Sequence, residues 1–193
     1  MTERSMKQDK DIMKTTWIVD AGYLLRSSPG SFDYLLLKNQ IESVMGTSFY
    51  ESYYMNSTPS NRSDAQEGFN TWLRNAPPFG PKMHVQLYRL KTVRCKCPDC
   101  SEWFDRNVQQ GVDVGIVTLL MKLAVQDQYD RLLLSIGDGE YQEAISFVKR
   151  EFQKEIWLCG YEGTISPDLQ CYADNILWLD DHYSKFQKEE RDD

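Results

Sequence analysis

The chain predicts an α/β domain of three layers, with a central, mostly parallel β-sheet flanked by helices. Three observations predict it. Runs such as Trp17-Ile18-Val19 and Leu132-Leu133-Leu134-Ser135-Ile136 have the near-continuous hydrophobicity of strands buried on both faces. Segments of helical length and period separate those runs, as in βαβ units. The 193 residues, 41% of them apolar, suit one domain with a sizeable core, and no repeat or linker divides them.

The elements follow in order. Residues 1–14 are polar and charged and read as a disordered lead-in. Thr15 to Asp20 read as a buried strand. Ser31 to Met45 predict a helix, with Ser31 as N-cap and Tyr34, Leu35, Leu37, Ile41 and Val44 at apolar positions. Ser48 to Met55 are aromatic and strand-like, and Asn56 to Ser63 have loop composition. Asp64 to Asn75 predict a helix that Pro77-Pro78 ends. Lys82 to Val93 alternate apolar and polar residues and predict one half-buried strand, followed by a cysteine loop at 94–106. Val112 to Gln128 predict the longest helix. Arg131 to Ile136 predict a strand, Gly139 to Phe152 a helix and Glu155 to Gly160 a strand. Pro167 to Asn175 predict a short helix and Ile176 to Leu179 a last strand. The domain spans 15–181, and 182–193 read as a charged tail.

Composition narrows the function classes. No apolar stretch is long enough to span a bilayer, and the N-terminus has no secretory h-region. A cytoplasmic location without a membrane partner is expected. Five cysteines, an odd number, argue against a disulfide scaffold in such a chain. A net charge of −7 weighs against a generic nucleic-acid coat protein. Yet from Lys82 to Arg106 the balance reverses: Lys82, Arg89, Lys91, Arg94, Lys96 and Arg106 outnumber Asp99, Glu102 and Asp105. Such a strip is either a solvated face or a phosphate-binding one.

The residues that carry chemistry are acidic and stand at segment ends. Asp20 closes the first apolar run, Asp113 opens the long helix, and Asp138 and Glu140 follow the run 132–136. Ligands of open α/β sheets bind beyond the carboxyl ends of strands, so these carboxylates are expected to converge there. Converging carboxylates repel one another unless a divalent cation neutralises them. A Mg²⁺ or Mn²⁺ site of this type handles phosphate, and the first hypothesis is a metal-dependent nuclease. Taken singly, Asp20 reads as a cap of the segment that follows it, Asp113 as a complement to a helix N-terminus and Gly137-Asp138-Gly139 as an ordinary turn.

Four segments in order resemble the NYN domain family of PIN-like nucleases, which includes the LabA-like group. They are Trp17-Ile18-Val19-Asp20-Ala21-Gly22-Tyr23-Leu24-Leu25, Gly111-Val112-Asp113-Val114, Leu134 to Tyr141, and Ser166-Pro167-Asp168-Leu169 through Ala173-Asp174. The resemblance implies a PIN-like three-layer sheet and a metal-dependent ribonuclease acting on RNA, single-stranded sooner than duplex. It places Mg²⁺ or Mn²⁺ on Asp20, Asp113 and Asp138, with Glu140 beside them as a fourth catalytic carboxylate. Thr118, Ile136 and Asn56 depart from residues common in relatives, and Glu140 stands where many have Asp.

If the site is active, a cation lowers the pKa of a bound water and stabilises charge on the attacked phosphate, with no histidine base and no covalent intermediate. Tyr23, Arg89, Lys91, Arg94, Lys96, Trp103 and Arg106 are the candidate substrate-binding residues, with Trp103 the best base-stacking candidate. Cys95, Cys97 and Cys100 have the spacing of a zinc knuckle and are candidate ligands of a structural Zn²⁺. The fourth ligand stays open between His84, Cys159, Cys171 and another subunit, and free thiols in a surface loop are the plain alternative. The second function is a catalytically weak RNA- or nucleotide-binding module, which Thr118, Ile136 and Asn56 favour. The third is an interaction protein with a zinc loop, and a homo-oligomer or a protein partner stays open. A phosphatase using an Asp-x-Asp nucleophile is disfavoured, because Ala21-Gly22 follow Asp20.

Overall fold

A computed structural model describes residues 13–59, 62–108 and 111–188. The expected lead-in falls mostly outside the described residues, and so does the far end of the charged tail. The strands are β1 (Thr15–Asp20), β2 (Glu51–Thr58), β3 (His84–Arg89), β4 (Lys91–Lys96), β5 (Trp103–Val108), β6 (Arg131–Ser135), β7 (Glu155–Gly160) and β8 (Asn175–Trp178). The α-helices are α1 (Ala21–Ser27), α2 (Tyr34–Met45), α3 (Asp64–Arg74), α4 (Val112–Val125), α5 (Gln142–Phe152) and α6 (Pro167–Gln170). Short 3-10 segments lie at Gly139–Tyr141 and Asp180–Lys185.

Six strands form one sheet in the order β3-β2-β1-β6-β7-β8, and every neighbouring pair is parallel. All six residues of β1 are buried, as a strand covered on both faces requires. The chain leaves β1 toward β2 and β3 on one side, then returns to β6 on the other. A topological switch point therefore lies between β1 and β6, and their carboxyl ends open a crevice there. In the core, Trp17 stacks on Phe49 at 5.4 Å and donates Nε1–H to Ser135 Oγ at 3.0 Å. Among the described residues no helix is long and apolar enough to cross a membrane.

Several elements differ from the sequence reading for local reasons. The single strand expected over 82–93 is two. It breaks at Leu90, whose N–H donates to Thr58 O, and β4 leaves the main sheet to pair antiparallel with β5. The cysteine loop is the tip of that hairpin. The cap of α2 is Asp33 rather than Ser31: Asp33 Oδ1 accepts the N–H groups of Leu35 and Leu36 at 2.7 and 3.1 Å. Phe32 is buried and bridges to Gln187, which keeps the chain out of the helix until Asp33. α1 stands where no helix was expected, because seven residues carry too little periodicity to read. β2 runs on through Asn56 to Thr58, and β8 begins at Asn175, inside the expected last helix. The charged tail starts later than residue 182, since Phe186 is fully buried against Phe32 and Tyr183.

Candidate active site

Asp20, Asp113 and Asp138 line one cavity of about 400 Å³ at the switch point, together with Tyr23, Arg26, Gly137 and Thr164. Each carboxylate also performs the local task that a turn or helix end asks of it. Asp20 caps α1, its Oδ1 accepting the Tyr23 N–H at 3.1 Å. Asp138 Oδ1 accepts the Glu140 N–H at 3.1 Å and caps the 3-10 turn. Asp113 lies in the first turn of α4, where a negative charge suits the helix dipole. Gly111 allows that start, because the N-cap backbone sits at φ 87°, a left-handed conformation open to glycine.

Two tyrosines hold the cavity walls. Tyr141 is buried and donates its hydroxyl to Asp113 Oδ1 at 2.6 Å. Tyr23 shares a 2.8 Å hydrogen bond with Thr164 Oγ1. Its ring passes so close to Gly137 that a Cβ there would meet Tyr23 Cε2 at 2.4 Å and Thr164 O at 2.6 Å. Glycine after β6 is therefore required by packing.

The electrostatics record the convergence. Burial pushes the Asp20 carboxyl above its ordinary value. The N–H groups of Tyr23 and Gly22 and the Arg26 guanidinium oppose that, and the charge of Asp113 adds to it. Tyr141 is raised far more, by burial first, then by its bond to Asp113 and by the charges of Asp113, Asp20 and Asp138. One phenol thus feels all three carboxylates. Among the described residues, however, no three His, Cys, Asp or Glu side chains stand close enough together to hold a metal ion as they are. The aspartates share a cavity without forming a preassembled ligand cage.

Glu140 is exposed in the 3-10 turn and does not line the cavity. Tyr23 does. Arg89 ends β3, Lys91, Arg94 and Lys96 lie on β4, and Trp103 and Arg106 on β5. None of these six lines the cavity, but the hairpin that carries most of them leaves the carboxyl end of β3, the edge at which Asp20 also lies. The Arg94 guanidinium sits 5.5 Å from the centroid of the Trp103 ring, which is 59% exposed. Arg26, Thr164 and Tyr141 were not singled out in the sequence. Arg26 becomes legible only once α1 is known, since a helix begun at Asp20 brings Arg26 back to the cavity. Tyr141 and Thr164 carry no local signal. Of the departures from common family residues, Thr118 Oγ1 donates to Val114 O at 2.7 Å, Asn56 Nδ2 donates to Tyr54 OH at 2.9 Å, and Ile136 is core.

Among the described residues the zinc knuckle is not assembled. Cys97 and Cys100 face each other across the hairpin turn, and the N–H groups of Cys100 and Asp99 hold the Cys97 thiol below its ordinary value. Cys95 Sγ turns to Val93 O at 3.8 Å. Cys159 is fully buried in β7, its thiol pushed up to about 12 by burial. Cys171 follows α6, and His84 stacks on Tyr53 at 4.9 Å. Among the described residues, neither His84, Cys159 nor Cys171 joins the hairpin thiols in a metal-holding group.

Comparison with other proteins agrees with this geometry. No curated protein matches the sequence. The fold is similar to the crystal structure of a protein of unknown function from Vibrio parahaemolyticus, with a TM-score of 0.66 and 20% identity over 91% of this chain and 98% of that one. The two proteins share the three-layer α/β architecture with its parallel central sheet. The NYN domain model matches residues 15–180, a span that holds the whole six-stranded sheet and every residue of the acidic cavity, and the chain belongs to the NYN domain family.

Proposed function

We propose that the protein is a metal-dependent endoribonuclease that hydrolyses RNA phosphodiester bonds in the cytoplasm. The observation that carries the reading is the convergence of Asp20, Asp113 and Asp138 in one cavity at the switch point of a nuclease-like fold. The donor set fits a hard divalent cation: it is all oxygen, and burial, with the charge of Asp113, raises the cost of ionising Asp20. Asp20, Asp113 and Asp138 would hold Mg²⁺ or Mn²⁺, which supplies an activated water and offsets charge on the attacked phosphate.

The remaining roles belong to the chain's own groups. Tyr141 fixes the Asp113 carboxylate through its 2.6 Å hydrogen bond. Arg26 brings the cavity its cation, placed to meet a phosphate oxygen. Tyr23, wedged against Gly137 and bonded to Thr164, closes the wall. Glu140, exposed beside Asp138, serves from the rim. Arg89, Lys91, Arg94, Lys96 and Arg106 line the path of the RNA backbone, and Trp103 offers a stacking face to an unpaired base, which favours single strands.

One observation favours the alternative, a catalytically weak RNA- or nucleotide-binding module: the aspartates are not preassembled for a metal among the described residues. Cleavage of labelled single-stranded RNA and DNA in Mn²⁺, Mg²⁺ or EDTA separates the two. The nuclease reading expects metal-dependent cutting of RNA that Asp20→Asn and Asp138→Asn both abolish. RNA binding without cutting by the wild type would transfer the assignment to the binding module.

A further inference from the structure

A second cavity, of about 460 Å³, opens at the other edge of the sheet, where β2 and β3 begin. Lys38 of α2, Arg74 at the end of α3, Lys82 and His84 line it, together with Phe49 and Tyr50. It shares no residue with the acidic cavity. The register pairs Ser52, in its wall, with Trp17, three residues before Asp20, which sets the two sites ~10 Å apart along the strands.

The charges in this cavity are unusual for so acidic a chain. With 29 Asp and Glu against 22 Lys and Arg, carboxylate partners are in excess. Yet among the described residues no carboxylate comes within ion-pair distance of Lys38, Arg74 or Lys82. Lys38 is only 9% exposed, and its Nζ donates to Pro81 O at 2.7 Å. A buried ammonium without an ion-pair partner is costly, and the nearby Lys82 adds to that cost. Burial is the main opposition to the charge on Lys38; Glu42, one turn along α2, supports that charge, and Lys82 opposes it by less. Glu42 also accepts the Phe49 N–H at 2.9 Å. The carboxylate inside the cavity, Glu51, accepts the Tyr53 hydroxyl and lies 3.9 Å from His84 Nε2 rather than pairing with any of the three cations. Three cations in one recess that form no ion pair among the described residues match a dianion, and a phosphate monoester is the common one.

The aromatic residues narrow the class. Phe49 is held by its stack on Trp17, and the Tyr50 ring is 54% exposed. Together they put apolar ring surface beside the cations, and the volume is in the range of small-ligand pockets. From this arrangement we infer that the cavity binds a nucleoside monophosphate, its phosphate on Lys38, Arg74 and Lys82 and its base against Phe49 and Tyr50. The inference does not depend on the nuclease reading.

Titration calorimetry of the whole chain with AMP and with inorganic phosphate, in EDTA, tests it. The expected result is saturable binding of one AMP per chain, tighter than phosphate. Arg74→Gln and Lys82→Gln should each weaken it at least tenfold, while Asp138→Asn leaves it unchanged. Lys38→Met is a poor first variant, because Lys38 also anchors Pro81, whereas Arg74 and Lys82 are more peripheral. No saturable binding would overturn the inference, as would affinity indifferent to both Arg74→Gln and Lys82→Gln, or AMP binding no tighter than phosphate. Loss of binding in Asp138→Asn would move the ligand to the acidic cavity and equally overturn it.

Discussion

Replacing Asp20 by asparagine should separate its structural task from its charge. The side chain is 6% exposed and caps α1 through a 3.1 Å hydrogen bond from the Tyr23 N–H. Asparagine caps a helix about as well as aspartate, so that bond costs little to exchange, whereas Asp20→Ala should lose ~1 kcal/mol. The charge is a different matter. Burial and Asp113 both raise the Asp20 carboxyl, so in the absence of a cation the ionised form is held against its preference. Asp20→Asn removes that burden and should stabilise the metal-free protein by on the order of 1 kcal/mol, a rise in Tm of about 2–4 °C for a domain of this size. The pH dependence follows from the direction of the shift. A folded-state pKa raised above the unfolded value means that the folded chain binds the extra proton, so stability falls as pH rises between the two. The gap between variant and wild type should therefore close below the ordinary carboxylate pKa of about 3.9 and open as pH rises through the raised value.

Added Mn²⁺ should reverse the order. A ligand at a hundred times its Kd stabilises the folded state by about 2.7 kcal/mol. That corresponds to a wild-type rise of roughly 5–11 °C, which Asp20→Asn should lose. Differential scanning fluorimetry with and without Mn²⁺ reads both effects. A variant that melts as low as Asp20→Ala without metal, or that keeps the full Mn²⁺ shift, would refute the argument that Asp20 is a cation-directed carboxylate held in a helix cap.

Three further outcomes follow from the same structure. Tyr141→Phe removes the donor to Asp113 Oδ1, a hydrogen bond to a charged group worth about 1.5–3 kcal/mol, and should cut RNA cleavage by on the order of tenfold in kcat while leaving RNA affinity intact. An unchanged kcat would show that Asp113 holds its place without Tyr141. Gly137→Ala drives a methyl into the Tyr23 ring and the Thr164 carbonyl, so it should cost ~1–3 kcal/mol in urea unfolding, and a neutral result would mean that the Tyr23 wedge is free to move. Phe186→Ala should cost about 3–5 kcal/mol, because the ring is fully buried, and a tail free of the domain would instead show no change in Tm.

The order of elements was legible because it is written in local chemistry. The buried runs of β1 and β6 are continuous apolar stretches, and Pro77-Pro78 stops α3 shortly after its last turn. Asp20, Asp113 and Asp138 could be picked out because acidic residues at the ends of apolar runs are conspicuous in one dimension. What failed to show were features whose cause lies far along the chain. Phe186 is core only because the 3-10 segment at Asp180–Lys185 folds back over α2. The strand over 82–93 splits because Leu90 finds Thr58 on a neighbouring strand, a partner that alternation of residue types cannot reveal.

The sequence by itself determined the α/β class, the parallel sheet and the three aspartates at segment ends, since hydrophobic period and end chemistry act over a few residues. Only the tertiary structure decided that these aspartates share one cavity, that Tyr141 binds Asp113 and that Lys38, Arg74 and Lys82 line a second one. Those facts depend on strand order and on which helix face meets which strand. Long-range packing sets both, and no short window of residues contains them.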